Sequence, residues 1–178
     1  FAGRGAEVVL VSGPVCLKTE NPAIRRIDVE CAAEMYEQVM THAKSSDIIV
    51  SCAAVADFTP KSKAGEKIKR GTEAMVLELE PTHDIAAELG KRKRAGQLLV
   101  GFALETQDET CNALLKLKKK NLDLIVLNSL RDKGAGFGGD TNKVTMIDRQ
   151  EQSYHYDLKS KQEVARDIVD RIEQMTTD

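Results

Sequence analysis

The sequence predicts an α/β fold in which helices cover both faces of a doubly wound, mainly parallel β-sheet. Short apolar runs rich in β-branched residues alternate along the chain with amphipathic segments of helical periodicity, which is the order expected for such a sheet. No repeat of fixed period and no linker of low complexity interrupts the 178 residues. We therefore expect a single domain spanning residues 1–178.

The first half of the chain begins with Phe1–Ala6, which has the composition of a helix end followed by its glycine cap. We therefore expect at least one strand and most of one helix to precede Phe1. The run Glu7–Val11 is almost continuously apolar, which predicts a strand covered on both faces. The next elements are predicted at Ile24–Val29 (strand), Ala32–Lys44 (helix, with Met35, Val39 and Ala43 inside) and Asp47–Ala53 (strand).

The second half contains a segment, Met75–Glu80, whose apolar and charged residues alternate as in a half-exposed strand. Asp84, Thr106 and Ser160 can each cap a helix, and these helices are predicted to end near Arg94, Lys120 and Met175. The remaining elements are predicted at Gln97–Ala103 and Leu122–Leu127 (apolar strands), Gly134–Gly139 (loop), and Lys143–Asp148 with Ser153–Asp157 (antiparallel pair).

The composition argues against several classes of protein. Aromatic residues make up 4% of the chain and the net charge is −2, which argues against nucleic acid as a partner. No apolar run reaches the roughly 20 residues that span a bilayer, so we expect no membrane association. The four cysteines lack CxxC spacing and the three histidines lie far apart, which argues against zinc. We expect reduced, mostly buried thiols in a cytoplasmic protein.

Small and polar residues follow four of the predicted strands, at the edge where doubly wound sheets bind ligands. They lie at Ser12–Gly13, Ala53–Asp57, Phe102–Glu105 and Asn128–Ser129. The stretch Ser51–Arg70 is the most suggestive, because Asp57 could hold a hydroxyl or a metal and Lys67 could hold phosphates together with Lys69 and Arg70. The sequence therefore predicts a ligand site at this edge, and a nucleotide fits its residue types.

Simpler interpretations remain open for several of these residues. Lys116 and Lys120 share a helix face, and the residues alone favour a solvated stripe that complements the helix dipole over a binding role. Asp84 can be a plain cap, His83 a turn residue, and Lys67 a surface charge. Neither a P-loop nor a GxGxxG fingerprint between a strand and a helix is present in this sequence.

Six motifs occur in an order that resembles a known family. They are SGPV (Ser12–Val15), CAAVADF (Cys52–Phe58), EKIKR (Glu66–Arg70), GFALET (Gly101–Thr106), KKKNLDLIVLNSL (Lys118–Leu130) and GFGGDTNKV (Gly136–Val144). Together they resemble bacterial phosphopantothenate–cysteine ligase, the second activity of the bifunctional coenzyme A biosynthesis protein. The resemblance runs from Ser12 to the terminal helix.

The resemblance implies a Rossmann-like fold and a ligase that consumes CTP. The carboxylate of 4′-phosphopantothenate attacks the α-phosphate, pyrophosphate leaves, and cysteine then displaces CMP from the acyl-cytidylate. It further implies Mg²⁺, no flavin in this part of the protein, a homodimer formed through a small antiparallel extension, and a phosphopantothenoylcysteine decarboxylase that is fused or associated. A Rossmann-type NAD(P)-binding oxidoreductase and a non-catalytic α/β interaction module are the alternatives.

The resemblance also assigns roles to individual residues. Lys67 is the expected catalytic lysine, which also binds the triphosphate, and Asp57 is expected near the ribose or the metal. The other nucleotide-binding residues implied are Ala53, Ala54, His83, Asp84, Ile85, Ala86, Phe102, Lys116 and Lys120. The chain departs from the family at His83, where the family has proline. The family's Asn-x-Ser-Ser/Thr-Gly phosphate-binding loop precedes these motifs and is missing before Phe1, so we expect this chain alone to be poorly active.

Overall fold

The computed structural model describes residues 1–71, 74–129 and 139–177. Its strands are β1 (Val8–Ser12), β2 (Ile24–Asp28), β3 (Ile48–Ser51), β4 (Phe58–Pro60), β5 (Leu79–Pro81), β6 (Leu98–Glu105), β7 (Leu124–Ser129), β8 (Thr141–Asn142), β9 (Val144–Asp148), β10 (Ser153–His155) and β11 (Lys159–Ser160). Its α-helices are α1 (Ala32–Ala43), α2 (Ile85–Arg92), α3 (Glu109–Lys119) and α4 (Lys161–Thr177).

The main sheet has five strands in the order β10-β9-β7-β6-β3. Strands β3, β6 and β7 are parallel, whereas β9 and β10 extend the sheet in antiparallel fashion. The predicted α/β class with a mainly parallel sheet is confirmed. The predicted antiparallel pair near the C-terminal end is present as β9 and β10, and it continues the main sheet. Strands β8 and β11 form a separate short antiparallel pair.

Two apolar clusters cover the two faces of this sheet. The cluster beneath α1, α2 and α3 contains Leu89, Leu99, Ala103, Ala113, Leu117, Leu122, Ile125, Leu127 and Ile147. The cluster beneath α4 contains Val100, Leu124, Val126, Val144, Met146, Val164, Ile168 and Ile172. Neighbours such as Leu99 and Val100 belong to opposite clusters, because successive side chains of a strand point to opposite faces. This double burial explains why β6 and β7 are continuously apolar in sequence.

Strands β1 and β2 form a parallel pair of their own, in which Val8 lies opposite Ile24. Among the described residues, neither strand pairs with the five-stranded sheet. The prediction that the first strand is covered on both faces is therefore wrong, since Val9 is 41% exposed and Leu10 is 39% exposed. A continuous apolar run predicts burial on both faces only when the strand has neighbours on both sides.

The antiparallel ribbon of β4 and β5 corrects a second prediction. The strand predicted at Met75–Glu80 is found at Leu79–Pro81, and residues 74–78 have no regular structure. The partner β4 is only three residues long, and its ladder joins Phe58 to Pro81 and Pro60 to Leu79. Beyond the ladder, one further bond joins the amide N–H of Lys61 to the carbonyl of Glu78. The alternation of apolar and charged residues therefore extends over residues that are not part of the ladder.

The helix ends follow the predicted cap chemistry at three of four places. Gly5 ends the 3₁₀ turn Ala2–Arg4 with a φ of 87°, which a glycine adopts without strain. Asp84 caps α2 through the Ala87 amide, and Ser160 forms a capping box with Glu163 ahead of α4. Thr106 does not cap α3: β6 extends to Glu105, and Asp108 takes the cap position instead.

The prediction of buried thiols is also wrong. Cys16, Cys31, Cys52 and Cys111 are all exposed and form no disulfide. Cys31 and Cys52 lie at the boundaries of elements, Cys16 lies in the connection between β1 and β2, and Cys111 lies on the outer side of the first turn of α3. Within the described part of the chain, no helix is both long and apolar enough to cross a membrane. Residues 134–138 of the predicted glycine-rich loop lie outside the described residues.

Candidate functional site

A cavity of about 340 Å³ lies where β3 and the middle of β6 meet β1, α1, the start of α2 and the last turn of α3. Its inner wall comes from β1, α1 and β3 and is mostly apolar, with His42 and Ser51 as its polar residues. Its rim carries two acids, Asp57 and Asp84, and two lysines, Lys116 and Lys120. The cavity therefore combines an apolar floor with a charged mouth at the edge that doubly wound sheets use for ligands.

Nine of the eleven residues assigned to the site from sequence line this cavity. They are Ala53, Asp57, His83, Asp84, Ile85, Ala86, Phe102, Lys116 and Lys120. Ala54 and Lys67 are described but do not line it. The structure thus brings together residues that are up to 67 positions apart in the chain, from Ala53 to Lys120. Whether they bind a nucleotide stays a prediction.

The turn after β3 is fixed to the start of α2 by backbone contacts. The Thr82 amide donates to the Asp57 carbonyl at 2.9 Å, and its hydroxyl donates to the Ala56 carbonyl at 2.6 Å. Within the turn, the Val55 amide bonds the Ala53 carbonyl at 3.1 Å. These bonds hold Asp57 beside the loop that carries His83. Thr82 is a site residue that sequence reasoning missed, because a turn threonine gives no sign of its distant acceptor.

Asp84 has two functions at the rim. Its Oδ1 accepts from the Ala87 amide at 3.0 Å and lies 3.0 Å from the Lys120 ammonium. Burial alone would raise the pKa of this carboxyl, but the Ala87 amide and the Lys120 ammonium together lower it below its ordinary value. The sequence left a plain cap as an alternative, and the structure shows a cap that is also an ion pair across the cavity rim.

Glu105 holds the other rim lysine. Its Oε1 lies 2.5 Å from the Lys116 ammonium, and its Oε2 accepts from Asn112 at 3.3 Å. The Glu105 side chain is 14% exposed, whereas that of Lys116 is 44% exposed. The sequence placed Glu105 at the ligand edge without a role. The sequence does not show this pairing, because whether Lys116 in α3 reaches the end of β6 depends on the direction in which the helix runs.

The last turn of α3 is positioned by its contact with α2. A Cβ added to Gly90 would lie 1.9 Å from the Lys120 carbonyl oxygen, so the two backbones meet where only glycine fits. The Asn121 amide group donates to the Gly90 carbonyl at 2.8 Å, and the Lys93 ammonium donates to the Asn121 carbonyl at 2.7 Å. The position of Lys120 therefore depends on a tight junction between the helices.

Lys67 lies apart from the cavity, in the segment from residue 61 to residue 71, all of which is exposed. In the same segment, Lys61 forms an exposed ion pair with Glu78 at 3.3 Å. The structure therefore places the predicted catalytic lysine on an exposed loop next to β4, outside the cluster that it was predicted to join. Its catalytic role remains a prediction.

Two aromatic rings stack beside the cavity. The rings of Tyr36, on α1, and His83 lie 4.4 Å apart with an interplanar angle of 23°. His83 occupies the position at which this chain departs from the family, and its ring forms part of the cavity wall. The stack gives this departure a structural consequence, because a proline ring at the same place could not present a flat aromatic face.

Cys52 also faces the cavity, at the end of β3. Although the residue is exposed in part, the surrounding walls raise the pKa of its thiol, because desolvation penalises the thiolate. We therefore expect this cysteine to remain a neutral thiol at pH 7, and a neutral thiol is a poor nucleophile and metal ligand.

The acids of the site are the side chains that could bind a metal ion. No group of three or more His, Cys, Asp or Glu that could hold a metal ion occurs within residues 1–71, 74–129 and 139–177. Asp57 and Asp84 supply oxygen ligands from the rim. Mg²⁺ typically binds to one or two carboxylates, keeps several waters and takes further oxygens from substrate phosphates. The residues present fit an ion that arrives with a phosphate ligand.

Comparison with known sequences gives one matching family. Residues 1–175 match the family described as the DNA/pantothenate metabolism flavoprotein C-terminal domain. The chain is 56% identical over 171 residues to a cysteine/cysteine sulfinic acid decarboxylase from an unknown prokaryotic organism, covering 96% of this chain and 48% of that protein. It is 46% identical over 168 residues to the coenzyme A biosynthesis bifunctional protein CoaBC of Bacillus subtilis (strain 168), covering 94% of this chain and 41% of that protein.

A solved structure agrees with this match. The C-terminal domain of a coenzyme A biosynthesis bifunctional protein CoaBC superposes with a TM-score of 0.81 at 37% identity, covering 99% of this chain and 78% of that chain. The chain spans about half the length of the curated relatives it matches.

Proposed function

The chain belongs to the family of the DNA/pantothenate metabolism flavoprotein C-terminal domain, and from this premise we propose that it acts in coenzyme A biosynthesis as a phosphopantothenate–cysteine ligase. The proposed reaction joins 4′-phosphopantothenate to L-cysteine and converts CTP to CMP and pyrophosphate. The name of the similar Bacillus subtilis protein supports the pathway. The finer assignment, to CTP and to this ligation, rests on the motifs and on the cavity.

One observation carries the proposal: nine residues implied by the resemblance converge on one cavity at the ligand edge of the sheet. In the proposed complex, Ala53 leaves room for the nucleoside and Phe102 lies against the base. Lys116 and Lys120 face the phosphates from the last turns of α3. This arrangement supports phosphoryl chemistry, in which catalysis consists largely of positioning and charge stabilisation.

The proposed chemistry has two steps. A carboxylate oxygen of 4′-phosphopantothenate attacks the α-phosphorus of CTP, and the bond from that phosphorus to the bridging oxygen of pyrophosphate breaks. The cysteine nitrogen then attacks the acyl carbon, CMP leaves with the former carboxylate oxygen, and the nitrogen loses a proton. The lysines stabilise the charge that moves onto pyrophosphate in the first step. We propose that Lys67 joins them there from its exposed loop.

Mg²⁺ is proposed as the accompanying ion, with Asp57 as its protein ligand. When bound, it neutralises charge on the phosphates. The protein's own contribution is to hold Asp57 through the Thr82 contact and to supply the two ammonium groups from α3.

An assay of pyrophosphate release tests the proposal. The full-length natural protein is supplied with 4′-phosphopantothenate, cysteine and either CTP or ATP. We expect release with CTP that requires 4′-phosphopantothenate, and loss of at least about 90% of the rate in Lys116→Met and Lys120→Met, since about 1.4 kcal/mol of lost stabilisation is tenfold in rate. Lys118→Met is the matched control, because Lys118 lies on the same helix but pairs with Glu151 away from the cavity. Release with ATP but not CTP would reject the nucleotide assignment.

The name of the 56% identical relative supports a second candidate, in which the chain is part of a protein that decarboxylates cysteine or cysteine sulfinic acid. That relative is about twice as long as the matched region. Release of CO₂ from either amino acid by the full-length protein, without CTP, would favour this candidate over the ligase. The same assay with phosphopantothenoylcysteine tests the fused or associated decarboxylase that the resemblance implies.

A homodimer is proposed on the basis of exposed apolar residues around β4 and β5. Phe58 is 59% exposed and Val76 is 87% exposed, and Met75, Leu77 and Leu79 are also exposed. Exposed apolar residues grouped along one stretch of chain are typical of an interaction surface in soluble proteins. Sedimentation equilibrium of the wild type and of Val76→Glu tests it: the variant is expected to be monomeric at concentrations where the wild type is dimeric.

A further inference from the structure

We propose that Glu105 is a positioning residue, which holds the Lys116 ammonium at the cavity and so determines where the nucleotide's phosphates lie; this inference rests on the proposed function. Glu105 is the last residue of β6, one of the central strands of the sheet, and its side chain is 14% exposed. A carboxylate in that place has little freedom to move, so it cannot adjust to a lysine that extends into solvent. The lysine is therefore held by the sheet.

The contacts around Glu105 fix the lysine from two directions. Oε1 pairs with Lys116 at 2.5 Å, while Oε2 accepts from Asn112, one helical turn earlier on the same face of α3. Asn112 in turn donates to the Gln107 carbonyl at 2.9 Å. The carboxylate thus joins the end of β6 to the helix that carries the lysine, and both of its oxygens are engaged.

The pairing of Lys116 with Glu105 has an electrostatic cost for phosphate binding. A carboxylate next to Lys116 reduces the positive potential that attracts a phosphate, so an unpaired lysine would give more electrostatic attraction. Ordering a free lysine side chain costs conformational entropy, and a lysine that is already held does not lose that entropy when the ligand binds. Glu105 therefore exchanges some attraction for a fixed ammonium position. Asp84, the acid that pairs with Lys120, also caps α2, so its presence is explained without a role in positioning the lysine.

A double-mutant cycle on the full-length protein tests the proposal. The dissociation constant for CTP is measured for the wild type, Glu105→Gln, Lys116→Met and the double variant. We expect Glu105→Gln to weaken binding about tenfold in the wild-type background and less than about twofold in the Lys116→Met background, since it acts through that lysine. An equal loss in both backgrounds, or tighter binding by Glu105→Gln, would overturn the proposal.

A matched control and a nucleotide-free readout complete the test. Lys118 lies on the same helix as Lys116, and its ammonium pairs with Glu151 at 2.6 Å. Glu151→Gln removes that partner and should leave CTP affinity unchanged. Limited acetylation of lysines, quantified by mass spectrometry without nucleotide, should increase severalfold at Lys116 in Glu105→Gln and at Lys118 in Glu151→Gln. If the wild type binds no CTP, the proposed nucleotide fails, but acetylation still decides whether Glu105 holds Lys116. Unchanged acetylation at Lys116 would refute the positioning.

Discussion

Gly90 shows how a single residue controls the junction on which Lys120 depends. Replacing it with alanine would place a Cβ 1.9 Å from the Lys120 carbonyl oxygen, and a backbone atom cannot rotate away as a side chain can. An overlap this close with a backbone atom should cost the upper part of the about 1–3 kcal/mol that overpacking typically costs, while alanine regains about 1 kcal/mol of helix propensity. We expect Gly90→Ala to lose at least about 1 kcal/mol of unfolding free energy in urea titration. Gly3→Ala, with no atom within 4 Å, should change it by less than about 0.5 kcal/mol.

The carboxyl of Asp84 links stability to pH. Its pKa in the folded chain is lowered below the value of about 3.9 expected when unfolded, so its stabilising effect is complete above that value and is lost as the pH falls through the folded pKa. Asp84→Asn keeps a good cap but removes the charge. We therefore expect the wild type to be more stable than the variant at pH 7, and the difference to shrink as the pH falls below about 4. Urea unfolding across this range measures it.

The residues of the site were predictable from sequence only in part. The position of Asp57 just after a strand indicated a ligand edge, but the residues alone favoured a solvated stripe as the explanation for the lysines of α3. Their assignment came from the resemblance, and the structure shows that both line the cavity. Thr82 and Glu105 could not be given their roles, because each acts through a contact that depends on how separate elements lie against each other.

At the scale of elements, a buried ion pair joins α2 to the two central strands. The side chains of Lys93 and Asp123 are 7% and 5% exposed, and their charged atoms lie 2.8 Å apart. Asp123 also accepts from the Leu99 amide at 2.7 Å and pairs with Arg149 at 3.2 Å. Removing one partner of such a pair leaves a buried charge uncompensated, which is far more costly than losing a surface pair.

Substitution of that lysine tests the role of the pair. We expect Lys93→Met to lower the unfolding free energy by about 3 kcal/mol, at the low end for a broken buried pair because Arg149 still faces Asp123. Lys91→Met is the control, since Lys91 pairs with Glu88 at 3.4 Å with 74% of its side chain exposed and should cost less than about 1 kcal/mol. Equal effects of the two substitutions would show that burial of the pair contributes nothing special.

The elements that sequence predicted best are those buried on both sides. The runs at β6 and β7 were found because a doubly covered strand must be apolar at every position. The strand placed at Met75–Glu80 failed because alternation describes side chains and not hydrogen-bond partners, and β4 offers only three residues to pair with. Val8–Val11 was found as a strand, but its burial was overestimated for the same reason: pairing decides coverage, and sequence does not show pairing.

At the scale of the whole molecule, the five-stranded sheet should be more stable against local opening than the β1–β2 pair. Strands β6, β7 and β9 each pair on both sides and are packed between the two apolar clusters. Strands β1 and β2, in contrast, pair only with each other among the described residues, and Val9 and Leu10 remain exposed. Segments with fewer buried contacts open at lower free energy than the core, because opening them exposes less apolar surface.

Amide hydrogen exchange measures this difference directly. We expect peptides that cover β6 and β7 to exchange only near the free energy of global unfolding, and peptides that cover β1 and β2 to exchange at least about a hundredfold faster, since about 2.7 kcal/mol separates such populations. The inner wall of the cavity includes Val9, Leu10 and Val11, so a ligand that fills it should slow exchange in β1 more than in β9, which lies away from the cavity. Equal protection of all strands in the free protein would contradict the separation of the two sheets. Slowing confined to β9 would place the ligand elsewhere than in this cavity.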